Sequence, residues 1–577
     1  GTLPLGNHYG IIVMTNANGN RIGGTLPAER NVISANLEIG IYIESADSNV
    51  VCGNIIGPDA TGTQVFETEP DSLIQANGVE INTTGRYNVI GGDTPQHRNI
   101  ISGNRVYGCI YYGNCSNNNI KGNYIGTDIT GNAPLPNATG ICVDGSSNNN
   151  VMEHNVLSGN RSYGLFIVTR GTDNNIFRGN LVGTNASGTA ALPNDVGLML
   201  AANAQGNIIG GDTEGDRNVF SGNTYAGIEV TDNDTRNNKI IGNFIGVDIT
   251  GNAALPNENG IIVSALVKEL DISGNVISAN ARYGIVITDQ ADSIRIDGNR
   301  IGVGATDDTA MGNSTSGVLL GNGAAHCTVS SNIIANSDTA GVLLLDQNTL
   351  NNRITRNSMF GNRYAGIDIF PWGINENDQG DIDEGCNRLM NHPVIELVEH
   401  NTATGTTYIK GHLDTQDPQN ATVEIFVADS DNILGFVRQG KTYVASTHPD
   451  ANGNWQINTT CIGLATSVTA TATDAEGNTS EFAPLCATVE AIAETEAAII
   501  TISPNPTSGL LKITSNSGFK VETITLVDAT GRNVAFKLAS HSDNELVVDI
   551  TNCKSGIYTI GLLSTNGEMV ISRVVRL

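Results

Sequence analysis

Short bursts of alternating apolar and variable positions, each opened by a glycine, recur along the first two thirds of the chain. Gly40-Ile41-Tyr42-Ile43, Gly164-Leu165-Phe166-Ile167, Gly284-Ile285-Val286-Ile287 and Gly366-Ile367-Asp368-Ile369 are four of them. Thirteen such units begin between Gly10 and Gly366, spaced 24 to 38 residues apart. A repeat of that size marks a solenoid, because a unit this small buries its apolar face only by stacking on its neighbours. A coil without insertions, such as 140–163, holds three extended pieces at 141–143, 150–153 and 155–158, separated by Gly, Ser and Asn. Three strands and three turns per coil predict a parallel β-helix of about thirteen coils, each strand pairing with its equivalent one coil on.

Period-two alternation then assigns faces. In each Gly unit the first and third residues point inward, so that Ile41, Ile43, Leu165, Ile167, Leu198 and Leu200 stack along the axis as the core. The middle residue points outward, and that column reads Ile12, Tyr42, Glu80, Ile110, Cys142, Phe166, Met199, Glu229, Ile262, Val286, Leu319, Leu343 and Asp368. So apolar a column calls for a cover, and the cover is either the neighbouring loops or an elongated ligand or partner protein. Asn36, Asn104, Asn160, Asn223, Asn280 and Asn362 form one recurrent set and Asn54, Asn123, Asn180, Asn243 and Asn299 another. Asparagine tolerates left-handed corners and its amide can bond the next amide in a column, so both sets read as structural ladders.

Two insertions interrupt the coils. One, running from Ile-Gly-Gly to Arg-Asn, occurs in the coils opened by Gly10, Gly78 and Gly197. The other, typified by Gly126-Thr127-Asp128-Ile129-Thr130-Gly131, occurs in those opened by Gly40, Gly108, Gly164, Gly227 and Gly284. It falls on every other coil, which predicts that strands about 4.8 Å apart leave too little room for a copy on each coil. Asp59, Asp128 and Asp248 hold equivalent places in it, with Asn185 standing where a fourth carboxylate would be. One carboxylate per loop does not close a calcium site.

Composition agrees with a turn-rich β protein: 67 glycines, 15% charged and 5% aromatic residues in 577. A formal charge of −28 argues against nucleic acid, since nothing here neutralises a run of phosphates. It leaves cations as partners or solubility as its purpose. No segment approaches the roughly 18 to 20 apolar residues of a membrane span. Nine cysteines lack zinc spacing; Cys461 and Cys486 flank one β segment and are the best disulfide pair, while Cys109 and Cys142 sit inside strands as small hydrophobes. The first residues, Gly1 to Asn7, resemble the end of a loop that recurs at Ala133 to Asn137, so the chain is expected to begin inside a repeat, with its leader and cap missing.

Three candidate sites emerge. The first is the outward column, with Tyr42 and Phe166 as its aromatic anchors. The second is a stripe at the turn before each glycine: Arg105 with Tyr107, Arg161 with Tyr163, Arg282 with Tyr283 and Arg363 with Tyr364. Tyrosine rings stack on sugar faces and arginine grips acidic groups, so the stripe reads either as a track for an anionic polysaccharide or as turn-capping stacks. The third is the acidic run from Asn375 to Glu384, where Asp378, Asp381 and Asp383 alternate around a glycine. That pattern suits structural Ca2+ or a solvated turn. His8, His97, His154 and His326 lie at unrelated positions and read as turn residues, and no pair of carboxylates assembles as a local catalytic motif.

Beyond the coils the pattern changes. Residues 1–392 are expected to hold the β-helix with its acidic end segment, and 393–489 an Ig-like β-sandwich. An Ala/Glu-rich linker covers 490–499, and a final β module 500–577. Within the second module, Thr473-Asp474-Ala475-Glu476-Gly477-Asn478-Thr479-Ser480-Glu481-Phe482 resembles the β-sandwich that often follows right-handed β-helix repeats in exported bacterial proteins. In the last, Pro504-Asn505-Pro506, Gly531-Arg532, Ser555-Gly556-Ile557-Tyr558 and the terminal Val574-Val575-Arg576-Leu577 resemble the type A C-terminal sorting domain of the type IX secretion system. That resemblance implies passage through the outer membrane of Bacteroidota with the secretion machinery as partner, then removal of the tail and release or surface attachment. Two classes of function remain: a surface scaffold binding glycan or protein along the helix, and a polysaccharide lyase, hydrolase or epimerase suggested by the fold alone.

Overall fold

The computed structural model describes residues 6–66, 75–429, 438–463, 466–484, 487–488, 490–491, 500–515, 521–542, 545–564 and 569–577. Two compact units divide the chain, 1–491 and 492–577. In the first, the glycine units form one parallel sheet of thirteen strands, and two further parallel sheets of twelve strands complete each turn of the helix. The bare coil 140–163 supplies Thr139–Val143, Val151–Glu153 and Val156–Leu157, one strand to each sheet.

Every glycine unit keeps the same register: Ile41 pairs with Val79, Ile141 with Leu165 and Leu198 with Ile228. Inward residues therefore stack directly, and Ile41, Ile43, Leu165, Leu198 and Leu200 are fully buried. Full burial of a side chain of this size contributes roughly 1.5 to 3 kcal/mol. The opening glycine is a matter of close approach. A Cβ on Gly164 would lie 2.6 Å from the carbonyl oxygen of Gly197 and 2.8 Å from a methyl of Val182, and one on Gly40 would lie 2.7 Å from the oxygen of Gly78.

All three corners carry amide ladders. At one, Asn54, Asn99, Asn123, Asn155, Asn180, Asn218 and Asn243 each donate Nδ2 to the Oδ1 of the next, at 2.9 to 3.1 Å. At a second, Asn36, Gln75, Asn104, Asn137, Asn160 and Asn194 do the same. The periodic asparagines up to Asn299 are every second rung of these two, and the rungs between them in the second ladder, Gln75, Asn137 and Asn194, follow insertions. A third ladder runs Asn49, Asn88, Asn118, Asn150, Asn175, Asn207 and Asn238. It gives way to buried Leu270, Ile294 and Cys327 before Asn352 and Asn387 resume the corner.

The alternating loops sit on every other coil, as expected, and at that spacing they meet. They do not stand apart: Ile129 N–H donates to Gly62 O, Ala186 to Gly131 O, Ile249 to Gly188 O and Ala305 to Gly251 O, at 2.9 to 3.0 Å. Copies two coils apart touch, so alternation is the spacing at which these loops pack. Asp59, Asp128 and Asp248 are spent inside their own loops. Asp128 Oδ1 accepts from the Thr130 hydroxyl and the Asn132 and Ala133 N–H groups, and Asn185 Oδ1 accepts from the equivalent N–H groups. An amide serves as well as a carboxylate there because both are only acceptors at that oxygen.

The segment after the coils builds two four-stranded sheets, Val394–Asn401, Thr406–His412, Asn454–Thr459 and Glu490–Ala491 in one, and Thr422–Ala428, Gly440–Thr447, Ser467–Thr473 and Ala487–Thr488 in the other. It closes the end of the helix. Gln439 Oε1 accepts from Asn362 N and Nδ2, Glu424 from Arg356 N–H and the Thr355 hydroxyl, Thr479 Oγ1 from Ile354 N–H, and Glu481 from Ile369 and Asn375 N–H. Side chains thus satisfy the last coil's unpaired strand edges, which otherwise invite another chain. Phe426 and Phe482, edge to face at 5.4 Å, join the core of the coils. Cys461 is a free thiol and Cys486 lies outside the described residues, as do most of the expected linker positions.

The second unit has a four-stranded sheet, made by Ile500–Ser503, Leu510–Ser515, Glu545–Asp549 and Lys537–Ser542, and a three-stranded one, made by Val521–Asp528, Gly556–Ser564 and Met569–Arg576. Leu511, Ile513, Leu526, Val548, Ile560 and Val574 fill the space between. Asn505 of the Pro-Asn-Pro motif clasps the last strand, donating to Arg573 O at 2.7 Å and accepting from Val575 N–H at 2.8 Å.

Candidate functional site

On the outer face of the glycine sheet, the column before each glycine and the middle column of each unit lie side by side. Tyr107, Thr139, Tyr163 and Val196 align in the first, and Ile110, Cys142, Phe166 and Met199 in the second. The tyrosines lean over this face. Tyr163 stacks on Phe166 with ring centroids 4.9 Å apart, and Tyr9 meets Tyr42 at 5.8 Å. The cover expected from loops comes in part from these side chains. Ile110, Cys142, Ile262, Leu343 and Asp368 are buried, Tyr42, Phe166, Met199 and Glu229 are half-buried, and Ile12 is exposed. Val196, Ala226 and Ile262, with Tyr163 and Val286 against them, make an apolar patch separate from the core.

Acidic groups flank the rings. Burial, then Glu44 and Glu80, push the Tyr42 phenol up to about 12, and burial with Cys142 and Asp144 does the same to Tyr107. Both stay neutral and keep an O–H to donate. Burial raises the Glu229 carboxyl as well, with Asp195 and Asp232 adding to it. Glu80 is held by the amides of Asn77 and Asn82, each at 2.8 Å.

The arginine–tyrosine stripe divides. Tyr107 and Tyr163 turn onto the sheet face, while Arg105 and Arg161 stay exposed at its edge. Arg282 does stack on Tyr283, at 5.4 Å to the centroid, and reaches Glu258 at 3.3 Å; Arg363 stacks on Tyr364 at 5.5 Å.

The three acidic residues beyond the coils come together: one oxygen from each of Asp378, Asp381 and Asp383 lies within 4.8 Å of the others. Asp381 is anchored by the Asn391 N–H at 2.9 Å and the Thr415 hydroxyl at 2.8 Å, whereas Oδ1 of Asp378 and of Asp383 has no hydrogen-bond partner among the described residues. Burial, then Asp378 and Asp381, raise Asp383 to about 6. An all-oxygen set of crowded carboxylates is the donor chemistry of a hard cation such as Ca2+. Sequence reasoning did not single out Glu229. Its only signal was a carboxylate in a column of apolar residues.

Comparison with known families bears on both ends of the chain. Residues 501–576 match the family model described as the secretion system C-terminal sorting domain. The tail is a type IX secretion sorting domain. It directs the chain to the cell surface or the extracellular space and implies contact with the secretion machinery. Residues 259–378 match the model of the right-handed β-helix region. No curated protein matches the chain. Among solved structures, the A-module of mannuronan C-5 epimerase AlgE6 from Azotobacter vinelandii is 16% identical over 61% of this chain and 86% of its own, with a TM-score of 0.35. The periplasmic alginate epimerase AlgG is 14% identical over 61% and 78%, with a TM-score of 0.33. The enzymatically active domain of bacteriophage CBA120 tailspike protein 2 is 11% identical over 91% and 79%, with a TM-score of 0.30. Among the described residues no helix is long and apolar enough to cross a membrane.

Proposed function

We propose that this chain is a secreted or surface-displayed β-helix scaffold that binds an elongated glycan along the outer face of its glycine sheet. The observation that carries the reading is the Tyr163–Phe166 stack, which lies outside the core beside Thr139 and Cys142, with Tyr107 one strand further on. A solenoid gains most of its stability from the inward stack, so aromatic rings on the solvent side serve a ligand better than they serve the fold. Exposed Arg105, Arg161 and Arg282 at the edge of the face supply donors for acidic substituents. The test is a glycan array with the full chain, beside Tyr42→Ala, Tyr107→Ala and Phe166→Ala. Loss of about tenfold in affinity per ring supports the reading; unchanged binding contradicts it, and capture of a surface protein in place of any glycan would assign the face to a protein partner.

We infer structural Ca2+ at Asp378, Asp381 and Asp383, from the two unpartnered carboxylate oxygens and the crowding that raises Asp383. Chelation with EDTA then lowers the melting temperature of wild type and leaves Asp381→Asn unmoved; equal melting of wild type with and without EDTA contradicts it.

A second reading, a polysaccharide-active enzyme, draws on Glu229, whose raised carboxyl beside an aromatic patch is the property of a general acid. Product release from any acidic or neutral polysaccharide, abolished in Glu229→Gln, would establish it; no product on any substrate leaves the scaffold.

A further inference from the structure

Away from the glycine sheet, an open cleft of about 400 Å³ lies over the strand Val156–Leu157 and its neighbours. It exists because the repeat is broken there. The Ile-Gly-Gly insertions of the coils opened by Gly78 and Gly197 wall it at either end, and the coil opened by Gly140 has none. His154, in the left-handed region at φ 56°, occupies the corner where that insertion would stand. Val156, Leu181 and Ile249 give the cleft apolar surface.

Two guanidinium groups are fixed at its ends. Arg98 lies over the Tyr124 ring at 3.9 Å and donates Nε to Gly122 O at 3.3 Å; Arg217 lies over the Phe244 ring at 4.2 Å. Their places follow from the ladder. Asn99 and Asn218, the residues next to them, are four rungs apart, which is roughly 19 Å at about 4.8 Å per strand. The acids nearby are already engaged: Glu153 is bound by Arg178 at 2.8 Å and by Lys121 at 3.3 Å, and Asp216 by Arg178 at 3.4 Å. Burial works against the Glu153 charge, yet hydrogen bonds from Asn119, Arg178 and Lys121 hold its carboxyl down at about 2, so it stays paired. Among the described residues only Glu214 offers Arg217 a counter-charge, at 4.0 Å and with its side chain 92% exposed. The walling insertions also carry Asp93, paired with Lys121, and Asp212; the lining of the cleft itself sets Arg98 and Arg217 against Glu214, beside apolar walls.

We propose that this cleft binds an acidic oligosaccharide, one anionic group at Arg98, another at Arg217, and the C–H faces of the sugar rings on the apolar floor between them. Stacking holds each guanidinium in place before the ligand arrives, which reduces the ordering cost of binding. The shared chemistry is a carboxylate or sulfate on a sugar chain long enough to span the broken repeat. The site is distinct from the aromatic face, and either can fail without the other.

Calorimetric titration of the full chain tests it, with a hexamer of galacturonate for carboxylate, a heparin-derived hexasaccharide for sulfate, maltohexaose as the neutral chain and sodium sulfate as the lone anion. Binding of either acidic hexamer, weakened by added salt, is the expected result. Arg98→Gln and Arg217→Gln each lower affinity about tenfold, the scale of one charge-assisted hydrogen bond, and the double variant about a hundredfold. Arg98→Lys falls between, having lost the planar stack. Arg170→Gln, at an exposed corner that belongs to neither site, leaves it unchanged. The proposal is overturned if the double variant, with unaltered melting, binds as wild type does. Equal binding of maltohexaose, sodium sulfate matching the hexamers, or loss only when Arg105→Gln is combined with Arg161→Gln on the glycine sheet overturns it as well.

Discussion

The three corners of the coil and the outer face of the glycine sheet are built on the same backbone, yet they use it in opposite ways. A corner repeats one residue type: Asn123, Asn155, Asn180 and Asn218 are interchangeable rungs, each donating to the next. On the outer face no one residue type runs from coil to coil. Ile110, Cys142, Phe166, Met199 and Glu229 follow one another in a single register. Where stacking alone sets the residue, the stack demands the same residue in every coil. A column that varies is answering to something other than its neighbours. The comparison separates what holds the helix together from what the helix displays.

Several substitutions break or sharpen that contrast, and they differ most in their cost to stability. Gly164→Val should cost most, about 4 kcal/mol or more, because its Cβ meets a backbone carbonyl that cannot swing away. Guanidinium unfolding of the variant should show a large drop in midpoint; a drop no larger than for an exposed site would mean the sheet yields. Asn180→Ala comes next at about 3 kcal/mol, since Asn155 N–H and Nδ2 lose the acceptor Oδ1 inside the wall while Asn218 Oδ1 loses a donor. Chemical denaturation measures it, and a cost below about 1 kcal/mol would show that the ladder is ornament to the fold.

The cap supplies a pH-dependent effect. Burial, opposed by the Ile369 and Asn375 N–H groups and reinforced by Asp368, lifts Glu481 from 4.5 to about 8. Below 4.5 its carboxyl is protonated in both states and changes nothing. Between 4.5 and about 8 the unfolded chain releases the proton first, so stability declines as pH rises through that window and levels off above it. Scanning calorimetry across the window should show the melting temperature falling, with a shallower slope for Glu481→Gln. Equal slopes would remove Glu481 from the account. Least costly is Tyr42→Ala on the outer face, about 1 kcal/mol or less, because the ring is half-buried and meets only Tyr9 among the other described rings. Thermal melts check this, and a cost like that of a corner asparagine would make the face structural.

Much of this architecture was legible in the chain itself. Alternation within Gly-Ile-x-Ile sufficed to name the inward stack, and Ile41, Ile43, Leu165 and Ile167 are where it put them. The ladders were half legible, because Asn137, Asn194 and Asn257 follow insertions that shift their spacing from the preceding glycine. The cap was not legible, since Gln439 reaches Asn362 across 77 residues and Glu481 reaches Ile369 across 112. Of the candidate sites, the aspartates drew together because their pattern is local, within six positions. The tyrosine stripe divided because ring packing within its own strand, Tyr163 on Phe166, decided where that ring turned. The cleft between Arg98 and Arg217 left no motif, for it opens where the coil of Gly140 lacks the insertion that the coils of Gly78 and Gly197 carry.

The central claim, that the varied outer face is for binding and the repeated corners are for stability, is tested most directly by one paired measurement. The triple variant Tyr42→Ala, Tyr163→Ala and Phe166→Ala is compared with wild type for both melting temperature and affinity toward the glycan that the array selects. The account predicts that affinity falls by about two orders of magnitude while melting moves only a few degrees. Unchanged affinity, or a collapse in melting comparable to Asn180→Ala, would contradict it.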